Sequence, residues 1–408
     1  MFLLRTALRN ILRCKSKSIL TIFLCIFLIS LLNVYWGNIE SNRRQLTDLA
    51  EMIPIYCRIS NLNGSKVAGL DIPEVTVQNL QSSSHMNNLV FTVRLMAGEG
   101  AFSIDDWKEK LNISAIGANS IQGVEGISEE EITLKEGTSL DFLGSSDRSC
   151  IVSQSCMDER QWEIGDVVSL NLYYYFHKNE YSLKIEPLDL VPFEIVGSME
   201  NVAYDNSGYL PTEIVLPVEA VREIYRSREI PFSADSAFFY LQDPLKLNKF
   251  KAEMKEFHLL PQSSSAKDSD KGEALFVKDA VFIGAADRLR QGMDTLLRFL
   301  PMVLAIVIFV GYISSYLLVY NRKKDFSIMR SIGFRHKEVF LIFLLEQLLL
   351  ALCGSLIQSI FSIVFIMHNG SVLFVVNLGF FLCFMAGVAI AVWRIGRSNL
   401  MEALSQND

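Results

Sequence analysis

Charged residues are almost absent from four stretches of this chain, although they make up 20% of its 408 residues. The stretches are 18–36, 299–320, 339–366, which contains one glutamate, and 372–393. An α-helix needs about 20 predominantly apolar residues to cross a bilayer, and each stretch is close to that length. This absence of charge excludes a soluble enzyme, a disordered chain and a secreted disulfide scaffold, and it predicts four transmembrane helices.

Motifs for catalysis and nucleotide binding are missing as well. The chain has no Gly-x4-Gly-Lys-Ser/Thr sequence, so we expect no ATP binding through a P-loop. It has neither His-Glu-x-x-His nor Gly-x-Ser-x-Gly, the patterns of zinc proteases and α/β-hydrolases, and its five histidines are scattered. We therefore expect a protein that is not an enzyme and that holds no cofactor or metal of its own.

Acidic residues are missing from the segment before the first apolar stretch. Residues 1–17 carry five basic residues and no acid, and 321–338 carries six basic residues against two acids. Lysine and arginine accumulate in the cytoplasmic loops of membrane proteins. Both termini and 321–338 are therefore predicted to face the cytoplasm of a multi-pass plasma-membrane protein, with 37–298 outside.

The insert at 37–298 has more acidic than basic residues. Without a basic patch it is not expected to bind nucleic acid. Its patterns predict an α+β domain held on two helical stalks, 38–51 and 274–298. The predicted strands are 75–77, 89–95, 150–153, 167–176, 192–197 and 237–241, and the predicted helices are 155–162, 218–226 and 245–257. The spacing of Cys57, Cys150 and Cys156 leaves a Cys150–Cys156 bridge and three free thiols as open alternatives.

Residues 2–13 have the pattern of an amphipathic helix. Arg5, Arg9 and Arg13 recur every four residues on one face, and leucines and an isoleucine form the other. Such a helix lies in the membrane interface with its basic face toward anionic lipid headgroups. The alternative is a basic flank that only follows the positive-inside rule.

The segment 321–339 predicts a short amphipathic helix over about 323–332. Phe326, Met329 and Ile332 fall near one face of this helix, and Gly333 suits the left-handed residue that ends a helix. An exposed amphipathic helix between two spans can fill a groove on another protein. The alternative, which the pattern favours equally, is a turn whose apolar face packs on the ends of the spans.

Glu346 lies inside the third apolar stretch, about 10 Å along a helix that starts near residue 339. Acids at such positions are costly and are functional or paired. We expect a structural or coupling role rather than a proton relay. The alternative is an acid near the headgroups that pairs with a basic residue.

Several motifs, taken in order, resemble the permease subunit of ABC transporters of the MacB/FtsX/LolC-E type. The motifs are Ala-Leu-Arg-Asn-Ile-Leu-Arg at 7–13, the strand–helix–turn–strand pattern at 150–197, Asp-Phe-Ser-Ile-Met-Arg-Ser-Ile-Gly at 325–333, Leu-Leu-Glu-Gln-Leu-Leu-Leu-Ala-Leu-Cys-Gly at 344–354 and Leu-Met-Glu-Ala-Leu at 400–404. The chain departs from the family pattern at Arg335, where a small or hydroxyl helix cap is common.

The resemblance implies an α-helical membrane protein with four spans and a large α+β extracytoplasmic domain on helical stalks. In chain order the expected parts are a cytoplasmic amphipathic helix (1–17), span one (18–36), the extracytoplasmic domain with stalks (37–298), span two (299–320), a cytoplasmic coupling helix (321–338), span three (339–366), an external link (367–371), span four (372–393) and a cytoplasmic tail (394–408).

The resemblance also implies a partner ATPase that holds ATP–Mg and docks on the coupling helix. The residues implied in coupling are Asp325, Phe326, Met329, Arg330, Ile332 and Gly333. A second permease copy or paralogue and an extracytoplasmic accessory protein are further expected partners, beside membrane lipid. The expected output is mechanical, for export or extraction of a peptide, antibiotic, toxin or lipoprotein. The alternative is a membrane-anchored sensor or a regulator, for example of a cell-wall hydrolase, that acts through its outer domain.

Overall fold

The chain forms two compact units in a computed structural model. The structure describes residues 2–13, 15–102, 107–179, 182–200, 211–269, 271–320, 328–329, 331, 334–365 and 370–396. The membrane unit comprises Met1–Leu49 and Gly284–Asp408, and the insert unit comprises Ala50–Ile283. The predicted stalk segments thus belong largely to the membrane unit.

Ten α-helices occur in the described residues. They are α1 (Phe2–Arg13), α2 (Lys15–Met52), α3 (Glu74–Ser82), α4 (Trp107–Lys110), α5 (Gln154–Arg160), α6 (Val218–Ser227), α7 (Leu247–Glu256), α8 (Ala280–Tyr320), α9 (His336–Phe365) and α10 (Gly370–Gly396). Four of these, α2, α8, α9 and α10, are long and apolar enough to cross a membrane. The predicted membrane class with a large domain between the first and second spans is confirmed.

One apolar core joins the four long helices of the membrane unit. The contribution of α10 recurs every three or four residues, so that successive members are neighbours on the helix surface. Its members from α10 are Val372, Val376, Phe380, Phe384, Val388, Val392 and Ile395. Cys25, Ile29, Val307, Phe343 and Ala351 from the other three helices pack against the same core.

Glycines set the closest approaches between these helices. A Cβ atom at Gly387 of α10 would lie 2.1 Å from the Ile308 carbonyl oxygen of α8, and one at Gly311 would lie 2.8 Å from the Phe384 carbonyl oxygen. On the other side of the bundle, a Cβ at Gly354 of α9 would lie 2.8 Å from Cys25 Cβ. Small residues let membrane helices pack backbone to backbone, so these positions fix the helix pairs.

The strands of the insert unit are short apart from three. They are β1 (Tyr56–Ser60), β2 (Ile72–Pro73), β3 (Met86–Glu99), β4 (Ile113–Ala118), β5 (Ile132–Leu134), β6 (Ser149–Ser153), β7 (Val167–Asn179), β8 (Ser182–Met199), β9 (Ile214–Pro217), β10 (Ser233–Ala234), β11 (Ser236–Leu241), β12 (Leu260–Pro261) and β13 (Ala274–Val277).

The strand pairings of the insert unit form a mixed sheet. In the described residues its order is β12-β13-β1-β11-β3-β4-β9-β6-β8-β5, and β7 pairs with both β3 and β8. The strands β3, β4, β9, β6, β8 and β7 therefore close a ring, while β2 and β10 pair separately. Buried apolar side chains of its strands, such as Ile116, Ile151 and Val215, form a core with Leu143 and Met199.

Most predicted elements of the insert are confirmed, and two predictions are wrong. Residues 75–77 lie in α3 rather than in a strand, because Val77 and Leu80 are spaced to bury one helix face while Val75 stays exposed. Residues 274–277 form β13 and pair with β1. The second stalk therefore begins at Ala280 rather than at residue 274, because the apolar run at its predicted start completes the sheet instead.

The packing at Gly387 predicts a severe effect of one added methyl group. Gly387→Ala should destabilise the membrane unit by about 2 kcal/mol or more, because the new Cβ meets backbone that cannot move aside. The measurement is the thermal unfolding midpoint of the full chain in detergent. Gly379→Ala is the matched control on the same helix, since a Cβ there meets nothing within 4 Å. Equal unfolding midpoints for the two variants would contradict the proposed contact.

Candidate functional site in the membrane unit

The loop between α8 and α9 is described only in part. Asp325, Phe326, Arg330, Ile332 and Gly333 lie outside the described residues, so their predicted roles stay predictions. Two neighbouring apolar residues of the loop differ in environment: the Ile328 side chain is 52% exposed, whereas Met329 is half-buried.

Met329 and Phe334 of the loop contact the spans. Both side chains pack against the core of the membrane unit. The Phe334 N–H donates to the Met329 carbonyl oxygen at 3.2 Å, a bond across six residues of the kind that ends a helix. These contacts hold the described part of the loop against the core of the membrane unit.

The start of α9 is capped by a glutamate that the sequence analysis did not assign to this role. The Glu338 carboxylate accepts a hydrogen bond from the Arg335 backbone N–H at 2.9 Å. The Arg335 carbonyl in turn accepts from the backbone N–H groups of Glu338 and Val339. An acid in the first turn also favours the positive end of the helix dipole, so Glu338 compensates for the missing hydroxyl cap at Arg335.

A stack of tyrosines runs along the last turns of α8 toward the loop. Tyr312, Tyr316 and Tyr320 are spaced by four residues, and successive ring centroids are 5.8 Å and 5.6 Å apart. Arg394 of α10 donates from Nη1 to the Tyr312 hydroxyl at 3.2 Å. The stack thus joins the end of α8 to the end of α10 on the side of the bundle that carries the loop.

Two adjacent polar residues of α9 are fully buried. Glu346 and Gln347 are both inaccessible to solvent, and Glu346 lies ten residues from the helix start, about 15 Å along the axis. Neither polar side-chain atom of Gln347 has a hydrogen-bond partner within the described part of the chain. Burial of this kind makes Glu346 an interior residue of the bundle; its coupling role stays a prediction.

A second polar cluster, which the sequence analysis did not identify, joins α2 to α9. Asn33 Nδ2 donates to Gln358 Oε1 at 2.9 Å, and Gln358 Nε2 donates to Ser362 Oγ at 2.9 Å. All three residues are buried. Ser359, the residue after Gln358, accepts a hydrogen bond at its Oγ from Asn377 Nδ2 of α10 at 3.2 Å. Asn33 and Asn377 stand in long apolar runs, and the polar residues of α9 at 355–362 carry no local pattern that identifies their partners.

The first helix turns sharply into the second. Ser18 Oγ of α2 donates to the Ile11 carbonyl of α1 at 3.2 Å, and Ala7 is fully buried. The side chains of Arg9 and Arg13 are exposed, as are Leu8 and Leu12; of Arg5 only the helical backbone is described. A helix that exposes arginines and leucines side by side has the composition of a membrane-interface helix.

A largely buried ion pair lies in the insert unit. Arg94 Nε lies 3.2 Å from Asp235 Oδ2, and Arg94 Nη2 lies 3.9 Å from Glu125 Oε2. Burial raises the pKa of Asp235 to about 6, although the Arg94 charge and a hydrogen bond from the Gly69 backbone oppose the rise. This carboxylate is thus a titratable group in the core of the insert unit near neutral pH.

The three cysteines of the insert unit are free and buried. Burial raises the pKa of the Cys57 thiol to about 12 and also raises the pKa of Cys150 and Cys156. Thiols in such surroundings are unreactive. Of the two alternatives from the sequence, a Cys150–Cys156 bridge and three free thiols, the structure has the free thiols. No group of three or more His, Cys, Asp or Glu that could hold a metal ion occurs among the residues that the structure describes.

The pKa of Asp235 predicts how the stability of the insert unit changes with pH. The folded protein binds the proton of the Asp235 carboxyl group more tightly than the unfolded chain does. The contribution of this group to the free energy of unfolding therefore falls as pH rises from about 4 to about 6. Asp235→Asn removes this titration. Relative to the variant, the wild type should lose up to about 3 kcal/mol of stability between these limits.

Hydrogen-exchange protection of β3 in the full chain measures this difference, after correction for the intrinsic pH dependence of exchange. Asp158→Asn is the control, because Asp158 is exposed on α5. Parallel pH profiles for wild type and Asp235→Asn would show that Asp235 does not titrate in this range.

Comparisons with known proteins address the membrane unit directly. Residues 299–400 match the family model described as FtsX-like permease C-terminal. A comparison with curated proteins found no match. Among solved structures, the periplasmic region of MacB from Actinobacillus actinomycetemcomitans is 12% identical, covers 60% of this chain and 95% of its own, and has a TM-score of 0.31.

A domain assigned to a permease protein of Porphyromonas gingivalis is 14% identical, covers 55% of this chain and 86% of its own, and has a TM-score of 0.27. The family match at 299–400 includes most of the membrane part of α8, all of α9 and α10, and the loop between α8 and α9.

The chain has four helices that are long and apolar enough to cross a membrane, and its large α/β unit is inserted between the first and the second. Residues 299–400 are similar to the C-terminal region of FtsX-like permeases, in agreement with the resemblance that the sequence motifs indicate.

Proposed function

We propose that this chain is a non-catalytic ABC transporter permease of the plasma membrane, and that it transmits the conformational change of a separate ABC ATPase to its insert unit. The loop at 321–338 receives the motion, the four spans relay it, and α2 and α8 deliver it across the membrane. ATP–Mg is bound by the partner, and this chain supplies the mechanical part.

The continuity of the two flanking helices carries this proposal. The helices α2 and α8 have 38 and 41 residues without interruption, which corresponds to about 57 Å and 61 Å. The hydrocarbon core of a bilayer is only about 30 Å thick, so each helix continues well beyond it. Apart from Pro301 of α8, which has no backbone N–H to donate, both helices are continuously hydrogen-bonded, and a helix of this kind is stiff along its axis. A displacement at one end therefore reaches the other.

The extensions of these two helices face each other across a polar groove within the membrane unit. Four residues of α2 and five of α8 line it, and counted from the first of them in each helix they follow the i, i+3, i+4, i+7 pattern of one helix face. They are Asn38, Ser41, Asn42 and Gln45 on α2, and Arg288, Gln291, Gly292, Thr295 and Leu296 on α8. The Tyr35 hydroxyl donates to the Leu296 carbonyl at the base of this groove. Polar surfaces that water can solvate allow the two helices to shift without exposing an apolar core.

The distribution of charge supports the direction of transmission. The basic segments at the N-terminus, between α8 and α9 and after α10 favour the cytoplasm by the positive-inside rule. In this orientation the Ile328 side chain, half of which is exposed, faces the compartment of the ATPase. Met329 anchors the same turn to the core of the spans.

We further propose that two permease chains, identical or paralogous, face an ATPase dimer. In the described part of the spans, the buried polar side chains are far fewer than the buried apolar ones, which favours a mechanical output over a continuous pore. The output is export or extraction of a peptide, antibiotic, toxin or lipoprotein, with or without an extracytoplasmic accessory protein.

The first prediction of this proposal concerns docking. The double variant Phe326→Asp with Arg330→Glu should reduce recovery of the ATPase with the tagged chain to background, because it places repelling charge and removes an apolar contact at the interface. The measurement is affinity capture in mild detergent from membranes that contain both proteins. Arg397→Glu is the control, since it reverses a charge in the cytoplasmic tail. Normal ATPase recovery with the double variant would exclude this loop as the docking site.

The second prediction separates transmission from docking. Insertion of two glycines after Arg44 should leave ATPase recovery unchanged and abolish the change in hydrogen exchange of the insert unit when the ATPase is trapped with vanadate. Glycine pairs interrupt helix stiffness. The same insertion after Ser264, in a loop of the insert unit, is the control. An exchange response that survives the insertion at Arg44 would show that α2 does not transmit the motion.

A further inference from the structure

A groove between α2 and α8 opens on the lateral surface of the membrane unit. It lies at the end of the bundle where α2 begins and α8 ends, and its volume is about 330 Å³, within the size range of ligand pockets. The lining residues are Lys17, Leu20, Thr21 and Leu24 of α2 and Val310, Ile313, Ser314, Leu317 and Leu318 of α8.

The surface of this groove is predominantly apolar. Leu20, Ile313 and Leu317 are exposed along its rim, and Leu318 is buried at its floor. The Thr21 hydroxyl donates to the Lys17 carbonyl of its own helix at 3.1 Å, so it presents a methyl group rather than a free donor. The groove therefore matches a hydrocarbon chain better than a polar ligand.

Lys17 brings positive charge to the end of the groove nearest the start of α2. Lys17 lines its opening, and the exposed side chains of Arg9, Arg13 and Lys15 are close in sequence. None of these four basic side chains forms an ion pair with a carboxylate in the part of the chain that the structure describes. An apolar groove with a basic residue at the level of the headgroups suits an anionic phospholipid.

We propose that this groove binds one anionic phospholipid. An acyl chain lies along Leu20, Ile313 and Leu317, and the phosphate accepts a hydrogen bond from the Lys17 ammonium. The site lies in the membrane leaflet that contacts the N-terminus, and it does not depend on the proposed coupling function. Its position near the end of α8 places the bound lipid beside the helix that continues into the 321–338 loop.

The experiment uses the full chain in detergent with phosphatidylglycerol and phosphatidylcholine of equal chain length, added in equal amounts. Native mass spectrometry counts the lipids that stay bound. The wild type should retain one phosphatidylglycerol in about fivefold preference over phosphatidylcholine, the ratio expected for one basic residue close to the headgroup.

Two matched pairs of variants test the two parts of the site. Lys17→Gln should abolish the preference while Lys15→Gln, with the same loss of charge next to the groove, keeps it. Leu20→Trp should fill the groove and remove retention of both lipids. Ile19→Trp is its control, because Ile19 and Leu20 are 66% and 67% exposed and only Leu20 lines the groove. Leu317→Trp fills the same groove from α8, so the result does not depend on the folding of one variant.

Three results would overturn the proposal. The first is retention in the wild type without a preference for phosphatidylglycerol, and the second is an equal effect of Lys15→Gln and Lys17→Gln. The third is loss of self-association in Leu20→Trp and Leu317→Trp with lipid retention unchanged, which would assign the groove to a second copy of this chain.

Discussion

The membrane unit depends on backbone contact between α8 and α10. Gly311 and Gly387 lie at the two sides of this contact, and a Cβ atom at either position would overlap a carbonyl oxygen of the other helix. Lipid tails are as apolar as leucine, so helices in a bilayer associate through close packing rather than through hydrophobic exclusion. Because α8 also continues into the stalk, the contact fixes the base from which that stalk extends.

A second set of contacts holds α2 against α9. Gly354 allows the close approach, and the hydrogen bond from Asn33 to Gln358 fixes the two helices at a second level. A polar pair inside a bilayer contributes only about 0.6 kcal/mol on average. The pair contributes more to specificity than to stability, since a rotation of either helix would separate the buried Asn33 Nδ2 from Gln358 Oε1, and unpaired buried polar atoms are costly.

Much of the architecture could be predicted from the sequence, because it depends on local patterns. The four apolar stretches gave the spans, and the strand–helix–strand pattern at 150–197 matched β6, α5, β7 and β8. The wrong predictions were at 75–77 and 274–277, where tertiary contacts decide between helix and strand. Asn33 and Gln358 are 325 residues apart in sequence, and no local pattern pairs them. For the same reason the ring of strands and the Arg94–Asp235 pair emerge only from the fold, while the predicted coupling residues lie mostly outside the described residues.

The pairing of helices in the membrane unit has a consequence for the kind of motion that reaches the insert. The chain connects the 321–338 loop directly to α8 at one side and to α9 at the other. Under the proposed function, a push on the loop would enter the second stalk directly. It would enter the first stalk through the contacts of α2 with α9 at Gly354 and Gln358 and with α8 at Leu296. Because the two stalks would be driven through different contacts, they would move by different amounts, and the insert unit would be twisted or tilted rather than displaced along one axis.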